Sequence, residues 1–445
     1  MKAYFRQTCL AAAVSLAVSA ASGMTLLEAY QLALEQDSTI RASRAALESG
    51  RERLPQARSQ LLPSVQANVG RNYNDLNTTS PNFLGQEATT NSTYYSFGKT
   101  VSLRQPLFNA QRYFQFEQAK DQVADAEATH QRDLQELIVR VGGAYMEALL
   151  TEDQLKLVLA QKQQYTTMVD AAQKMLKAGS GTRTDIDDAQ ARLDMAVASE
   201  LEARQNREYT HRQLEILVNQ PVGNLSALNL SGLASLPTDL LPLESWLEQA
   251  QANSPEIQAL VARVAAADKE ISKAKSGHAP AMDGVVQWSD SGNENVTRLN
   301  SRFVTKSIGV QLVVPIFQGG YVNSQVRQAV ADKTRLEEAL EATRRDLNLR
   351  IHKEHRGVTE GVLKVRALEQ AVRSTEQLVQ STTKSKLAGV RTTLDILNAE
   401  QQLAQAKRDL VQARYLYLMA RLRLAALVGK SPLEAITEVA QAFGS

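Results

Sequence analysis

Cysteine is almost missing from this chain: the 445 residues hold one, Cys9. It lies in an amino-terminal run expected to be removed, in the wrong context for lipid attachment, so neither a disulfide framework nor a lipid anchor is expected in the mature protein. Long apolar runs are missing too. No stretch beyond that leader reaches the roughly 18 consecutive apolar residues a membrane helix needs, which excludes helical membrane spans but not a β-barrel, where closure satisfies every edge hydrogen bond. Aromatic residues are scarce, at 5% with two tryptophans, while Ala, Gln, Leu and Glu are plentiful, the composition of long packed helices and not of a concave enzyme core. An excess of one charge is lacking as well. Without Lys2 and Arg6 of the leader, the 50 basic residues become 48 against 48 acidic ones, which gives no argument for a nucleic-acid partner.

The leader is what stands first. Lys2 and Arg6 precede an apolar run from Cys9 to about Val18 and then Ser19-Ala20-Ala21-Ser22-Gly23. This reads as a secretory signal peptide over residues 1–23, with cleavage between Ala21 and Met24. Near the other end, Leu403, Ala406, Leu410, Ala413, Tyr417, Ala420, Leu424 and Leu427 recur at alternating steps of three and four, a heptad seam on one long helix. At an offset of 210 positions, Gly179, Thr182, Asp185, Ala189, Leu193 and Leu217 fall on Gly389, Thr392, Asp395, Ala399, Leu403 and Leu427. The chain therefore reads as a tandem duplication.

The expected order follows that duplication. The first repeat, residues 24–217, opens with a helix over 24–60, capped by Thr25 and Glu28 and divided or kinked at Pro55. A β-hairpin at about 65–104 comes next: Val65, Ala67 and Val69 alternate with polar residues, a polar loop covers 72–91, and Tyr95, Phe97, Val101 and Leu103 resume the alternation. Lys99, on the apolar side, is an exception to this facing, at a rim or lumen position. Pro106-Leu107-Phe108 ends the strand. A helix from about Gln111 to Leu176, on the order of 100 Å long at about 1.5 Å per residue, then turns at a tip over 178–184 and returns to Leu217. Residues 218–242 form a Pro-containing linker of an equatorial region. The second repeat, 243–428, brings a hairpin at about 282–314 and a tip at about 388–394, and residues 429–445 form a tail without a clear assignment.

No site for chemistry emerges. His352 and His355 lie on one helical face with Glu354 between them, but two histidines do not complete a zinc site. Gly50 and Gly361 lack a phosphate-loop context. No Ser/His/Asp order or paired carboxylate stands in a cleft-forming context, so neither an enzyme, a cofactor nor a metal is expected.

Four amphipathic strands of about 8 to 11 residues leave a sheet with two bare edges, and membrane barrels close with about eight strands or more. Identical chains could close one, with 8 strands in a dimer or 12 in a trimer. At this point Gln105-Pro106-Leu107-Phe108-Asn109, Val314-Pro315-Ile316-Phe317-Gln318-Gly319-Gly320, the run from Ala178-Gly179 to Asp185, and Ala388-Gly389-Val390-Arg391-Thr392-Thr393-Leu394-Asp395 resemble the duplicated motifs of the TolC-like outer-membrane efflux protein family. So does Leu424-Ala425-Ala426-Leu427-Val428-Gly429. The resemblance covers essentially all of the mature chain.

It implies a mainly α, internally duplicated fold and a homotrimer, with a 12-stranded β-barrel in outer-membrane lipid continued by a long α-helical barrel in the periplasm. The inner end would close like an iris and dock on a periplasmic adaptor (membrane fusion) protein bound to an inner-membrane ABC, RND or MFS pump. Asp395 matches a family acid at the periplasmic constriction. Asn398 stands where a second acid ring would be, which weakens a cation block. Arg391 matches a family arginine of the closing network, and Lys386 replaces a family tyrosine, so that an ionic latch to Asp185 or Asp188 becomes the expectation. The bland alternative is that Asp185, Asp188 and Asp395 cap helix starts. Gly179, Gly181 and Gly389 permit tight reversals, and with Val390 they mark the tip an adaptor would grip. A periplasmic coiled-coil adaptor or scaffold is the rival reading; it would share the leader and long helices but would not need strands ending in Pro-x-Phe in both repeats.

Overall fold

A computed structural model describes residues 23–237, 241–294 and 301–444; the expected signal peptide and the tip of the second strand pair lie outside the described residues. The structure is mainly helical with one four-stranded sheet. The opening helix is in three pieces, α1 (Leu26–Gln36), α2 (Ser38–Arg51) and α3 (Arg53–Ser59). The break between the first two has a cause that hydrophobic periodicity does not carry. Asp37 is extended, and its Oδ1 accepts from the Thr39 N–H at 2.5 Å and the Ile40 N–H at 3.3 Å, so it starts a new helix as an N-cap. Arg140 lies 3.0 Å from its other oxygen. Pro55 falls in the first turn of α3, where its missing N–H breaks no helical bond.

The strands are β1 (Ser64–Pro81), β2 (Glu87–Asn109), β3 (Ala281–Glu294) and β4 (Ser301–Val313), antiparallel in the order β1-β2-β3-β4. They are longer than the periodicity predicts. Residues 72–91, expected as a loop, instead pair from Asn72↔Ser96 to Pro81↔Glu87 and leave only 82–86 as the turn. A two-stranded ladder satisfies its backbone whatever its side chains are, and polar residues on both faces suit a ribbon in water. Asn74 donates to Ser96 at 2.9 Å, and the Thr79 and Thr89 hydroxyls meet at 3.0 Å. β2 also runs past Pro106 through a bulge before Phe108, ending at Asn109, whose Oδ1 accepts the Arg112 N–H at 3.0 Å.

The remaining helices are α4 (Ala110–Lys177), α5 (Arg183–Val218), α6 (Leu230–Ser235), α7 (Leu243–Asn253), α8 (Pro255–Lys275), α9 (Tyr321–Leu387), α10 (Thr393–Leu427) and α11 (Pro432–Ala440). The linker thus contains a short helix, and the unassigned tail forms another. The second repeat opens on α7 and α8, which are separated at Ser254, extended before Pro255.

The chain forms two compact units. One, Ala46–Ala128 with Gln258–Glu341, holds the whole sheet. The other, Met1–Ala45, Thr129–Ile257 and Ala342–Ser445, holds both helical tips, the linker and the tail. In this second unit the segments around Met24 and Phe443 and the linker converge on Tyr145, which is fully buried. Its hydroxyl donates toward the Met24 and Ser226 carbonyls at 2.9 and 3.1 Å, and its ring meets Phe443 edge-on at 5.5 Å. Burial pushes the phenol well above its ordinary pKa. Bridges Met24↔Leu225 and Leu228↔Phe443 complete the junction. Nearby, the buried Arg421 donates to Glu438, to the Pro237 carbonyl at 2.6 Å and to the Tyr417 hydroxyl at 3.0 Å, while Lys430 reaches the same Glu438 at 2.9 Å. A buried cation is tolerable only with partners of this kind. The seam residues from Leu403 to Leu424 are all buried, and Leu427 is half-buried.

Gly389 and Gly429 separate two costs. Both are left-handed, with φ of +79° and +71°, but a Cβ on Gly389 meets nothing within 4 Å, whereas one on Gly429 would lie 2.4 Å from the Asn253 carbonyl oxygen. Gly389→Ala should cost about 1 to 2 kcal/mol of local backbone strain, and Gly429→Ala distinctly more. Thermal unfolding of the two variants checks the order; equal midpoints would contradict it.

Candidate functional site at the tips of the helical hairpins

The two tips repeat one piece of backbone chemistry. After α4, the N–H groups of Gly179 and Ser180 return to the carbonyls of Leu176 and Met175, both at 3.0 Å; after α9, those of Gly389 and Val390 return to Lys386 and Ser385, both at 2.9 Å. Gly179 and Gly389 supply the left-handed residue that this closure requires, with φ of +76° and +79°. Gly181 follows a different rule: its φ is not left-handed, but a Cβ there would lie 3.0 Å from the Leu176 backbone nitrogen.

Each following helix starts with the same reciprocal cap. In α5, the Asp185 Oδ2 accepts from the Thr182 N–H at 3.0 Å and from its hydroxyl at 2.6 Å, while the Asp185 N–H donates to the Thr182 Oγ1 at 3.1 Å. In α10, the Asp395–Thr392 distances are 2.9, 2.9 and 3.2 Å. The duplicated Thr-x-x-Asp is therefore a pair of capping boxes with Asp in place of the usual Glu. Both acids are held below the usual carboxylate range, Asp185 first by the Thr182 hydroxyl and Asp395 first by the Thr392 backbone N–H. Arg391, one turn back, lies 3.6 Å from Asp395.

The two caps differ in what else they touch. Thr393 and the charge of Lys386 help to lower the Asp185 carboxyl further. Lys386 donates to that same Thr393 hydroxyl oxygen at 2.9 Å. The sequence offered Asp185 or Asp188 as the partner of Lys386; within this chain its ammonium group is hydrogen-bonded to Thr393. Asp188 sits one turn further along α5, half-buried. Asn398 is engaged from α5 by Arg192, whose guanidinium donates to the Asn398 Oδ1 at 2.8 Å and to the Gln401 Oε1 at 2.7 Å. Sequence reasoning missed Arg192, Thr393 and Gln401. Thr393 was legible as the residue after the cap, but a cross-helix arginine leaves no periodic signal.

Beneath these polar ties, Tyr165, Ala196 and Leu397 form a small core with Met168 and Leu193 against it. Glu400 is also buried; burial raises its carboxyl despite a 3.1 Å hydrogen bond from Gln164. At the apex, Leu387 and Val390 are 80% and 77% exposed, apolar side chains open to solvent over most of their surface.

The chain is similar to known proteins along most of its length. The pattern described as outer membrane efflux protein matches residues 29–220 and 246–430. The alkaline protease secretion protein AprF of Pseudomonas aeruginosa is 34% identical over 363 residues, 79% of this chain and 73% of that one. The proteases secretion protein PrtF of Dickeya chrysanthemi is 29% identical over 369 residues, 82% of this chain and 79% of its own length. Among solved structures, CusC superposes with a TM-score of 0.79 at 15% identity, covering 93% of this chain and 96% of that one, and the Campylobacter jejuni CmeC outer membrane channel with 0.77 at 15% identity, covering 94% and 90%. These last two establish the fold.

The chain belongs to the outer membrane efflux protein family. It is an outer-membrane exit duct of the TolC type, a passive conduit in an efflux or secretion system and not an enzyme.

Two measurements test the tip chemistry. Because both capping carboxyls are depressed, their stabilisation is fully present above the ordinary aspartate range of about pH 4 and is lost as pH falls through the lowered values. Amide exchange at the starts of α5 and α10 should therefore accelerate below about pH 4 more than at the cap of a Thr182→Ala, Thr392→Ala variant; parallel profiles would contradict this. Arg192→Ala should speed exchange around Asn398–Gln401, with Arg192→Lys intermediate because one ammonium does not span both acceptors. Unchanged exchange would remove Arg192 as a tie.

Proposed function

We propose that this chain is the outer-membrane exit duct of a type I protein secretion system. The observation that carries this reading is that the relatives at 34% and 29% identity are both protease secretion proteins. The pump it serves is then of the ABC class rather than RND or MFS, and energy for transport comes from that pump.

The working form is a homotrimer. Three copies of the sheet supply twelve strands, which close a barrel in outer-membrane lipid, and the helical hairpins of three copies enclose a periplasmic tube. Residues 24–217 and 243–428 act as the two repeats of each stave, with residues 218–242 in the equatorial region. The tips form the gate. Asp395 lines the constriction with Asn398, while Arg391, Asp185, Asp188 and Lys386 hold neighbouring helix starts together. The apex around Gly179, Gly181, Gly389 and Val390, with the exposed Leu387 beside it, is the surface for a periplasmic adaptor.

Loss of the gene should abolish release of a protease substrate to the medium while drug susceptibility is unchanged; the reverse pattern would assign the duct to drug efflux. In planar bilayers, Asp395→Ala should lower cation preference and Lys386→Glu should raise the closed-state conductance. Wild-type values in both would take these residues out of the gate.

A further inference from the structure

The apolar side of the sheet carries charges that a hydrocarbon-facing surface does not call for. Residues opposite one another in antiparallel strands share a face, so the register puts Val65, Leu103, Val286 and Ile308 in one row, Ala67, Val101, Trp288 and Lys306 in the next, and then Val69, Lys99, Asp290 and Val304. Arg71, Phe97 and Arg302 follow, and Tyr73, Tyr95 and Glu294 close the series. Lys99, an exception in the sequence, is thus one of four cations on this face.

We propose that this cluster binds the phosphate groups of the anionic glycolipid of the outer leaflet. The inference rests on the barrel reading above, which sets the hairpin turns on the outer side. From Leu312 to Arg302 the chain climbs ten positions, about 33 Å along a strand and roughly 25 Å in height once the strand tilts, the height of a barrel's apolar band. The Arg71 and Arg302 row therefore lies at the outer boundary. Tyr73 and Tyr95, with centroids 5.3 Å apart and Arg71 5.0 Å over the Tyr95 ring, form the aromatic belt expected at that level.

The charges there do not cancel. Across the rows from Ala67 to Tyr73, four cations face two acids. Arg302 takes both oxygens of Asp290, each at 2.7 Å, and Arg71 lies 3.5 Å from Glu294. Lys99, whose charge also acts on Asp290 across the strand pair, and Lys306 carry the surplus of two, and both are exposed; the next acid on this face, Asp75, is one row beyond Tyr73. Long lysine stems lie along apolar surface and carry their ammonium groups toward the headgroups. Lys306 also borders a cleft of about 400 Å³ walled by Val101, Leu103, Val286, Trp288 and Ile308. An amphiphile with acyl chains and a phosphorylated head meets both features; a soluble anion meets only one.

The test uses the purified full-length channel in detergent, titrated with diphosphorylated lipid A, with its dephosphorylated counterpart and with inorganic phosphate, reading the thermal midpoint. The phosphorylated lipid alone should raise it by several degrees. Lys99→Gln, Lys306→Gln should abolish that rise and Lys99→Arg, Lys306→Arg should keep it. Equal rises with both lipids, a rise with inorganic phosphate alone, or an undiminished response in the Gln variant would overturn the proposal. Single-channel recording of the same samples separates the two readings: protein that conducts but ignores the phosphates overturns only the lipid site, and protein that never conducts overturns the barrel and the lipid site together.

Discussion

A sheet that ends at β1 on one side and β4 on the other has two rows of backbone N–H and C=O groups with no strand beside them. In water such edges are tolerable; in hydrocarbon each unsatisfied group costs several kcal/mol. The side chains of this sheet nevertheless include a face of Val65, Val69, Ile308, Val310 and Leu312, all strongly exposed. In the proposed barrel that face meets lipid, and strands from neighbouring copies protect the edges. Strand supply from identical chains is the economical answer, because each copy presents the same two complementary edges. In the proposed trimer, closure of the barrel follows from backbone hydrogen bonding more than from any single side chain.

The tips pose a second problem of the same kind. Two helices begin where two others end, so eight orphan N–H groups and eight orphan carbonyls gather at the end of one protomer. The duplicated Gly and Thr-x-x-Asp satisfy part of both sets. The two copies then diverge: the Asp185 carboxyl is lowered further by Thr393 and Lys386, whereas Asp395 keeps only its own cap and Arg391. One duplicated motif thus yields two acids with different neighbours, and the proposed gate gives the pore-lining part to Asp395. Neutral Asn398, held by Arg192, adds to that asymmetry.

Much of this was legible in the residues. The heptad seam, the tips and the Pro-x-Phe boundaries are periodic or punctuated features, and α4 starts and stops within a residue of its expected ends. What escaped was set by contacts without a period. Asp37 interrupts a helix because of two local N–H groups; residues 72–91 pair because a ladder needs no apolar alternation; the linker and tail are ordered by Tyr145, Phe443 and Arg421, far apart in sequence. At the tips, the caps could be read directly, but Arg192 could not, since its acceptors lie 206 and 209 positions away.

The most direct test of the central claim uses the scarcity of cysteine in the chain. Pairs of cysteines, one on β1 between Val65 and Val69 and one on β4 between Val304 and Val310, should oxidise in outer membranes to covalent dimers and then trimers, and no larger species. Pairs that close only within single chains, or that form open ladders beyond the trimer, would contradict a barrel made from three four-stranded sheets.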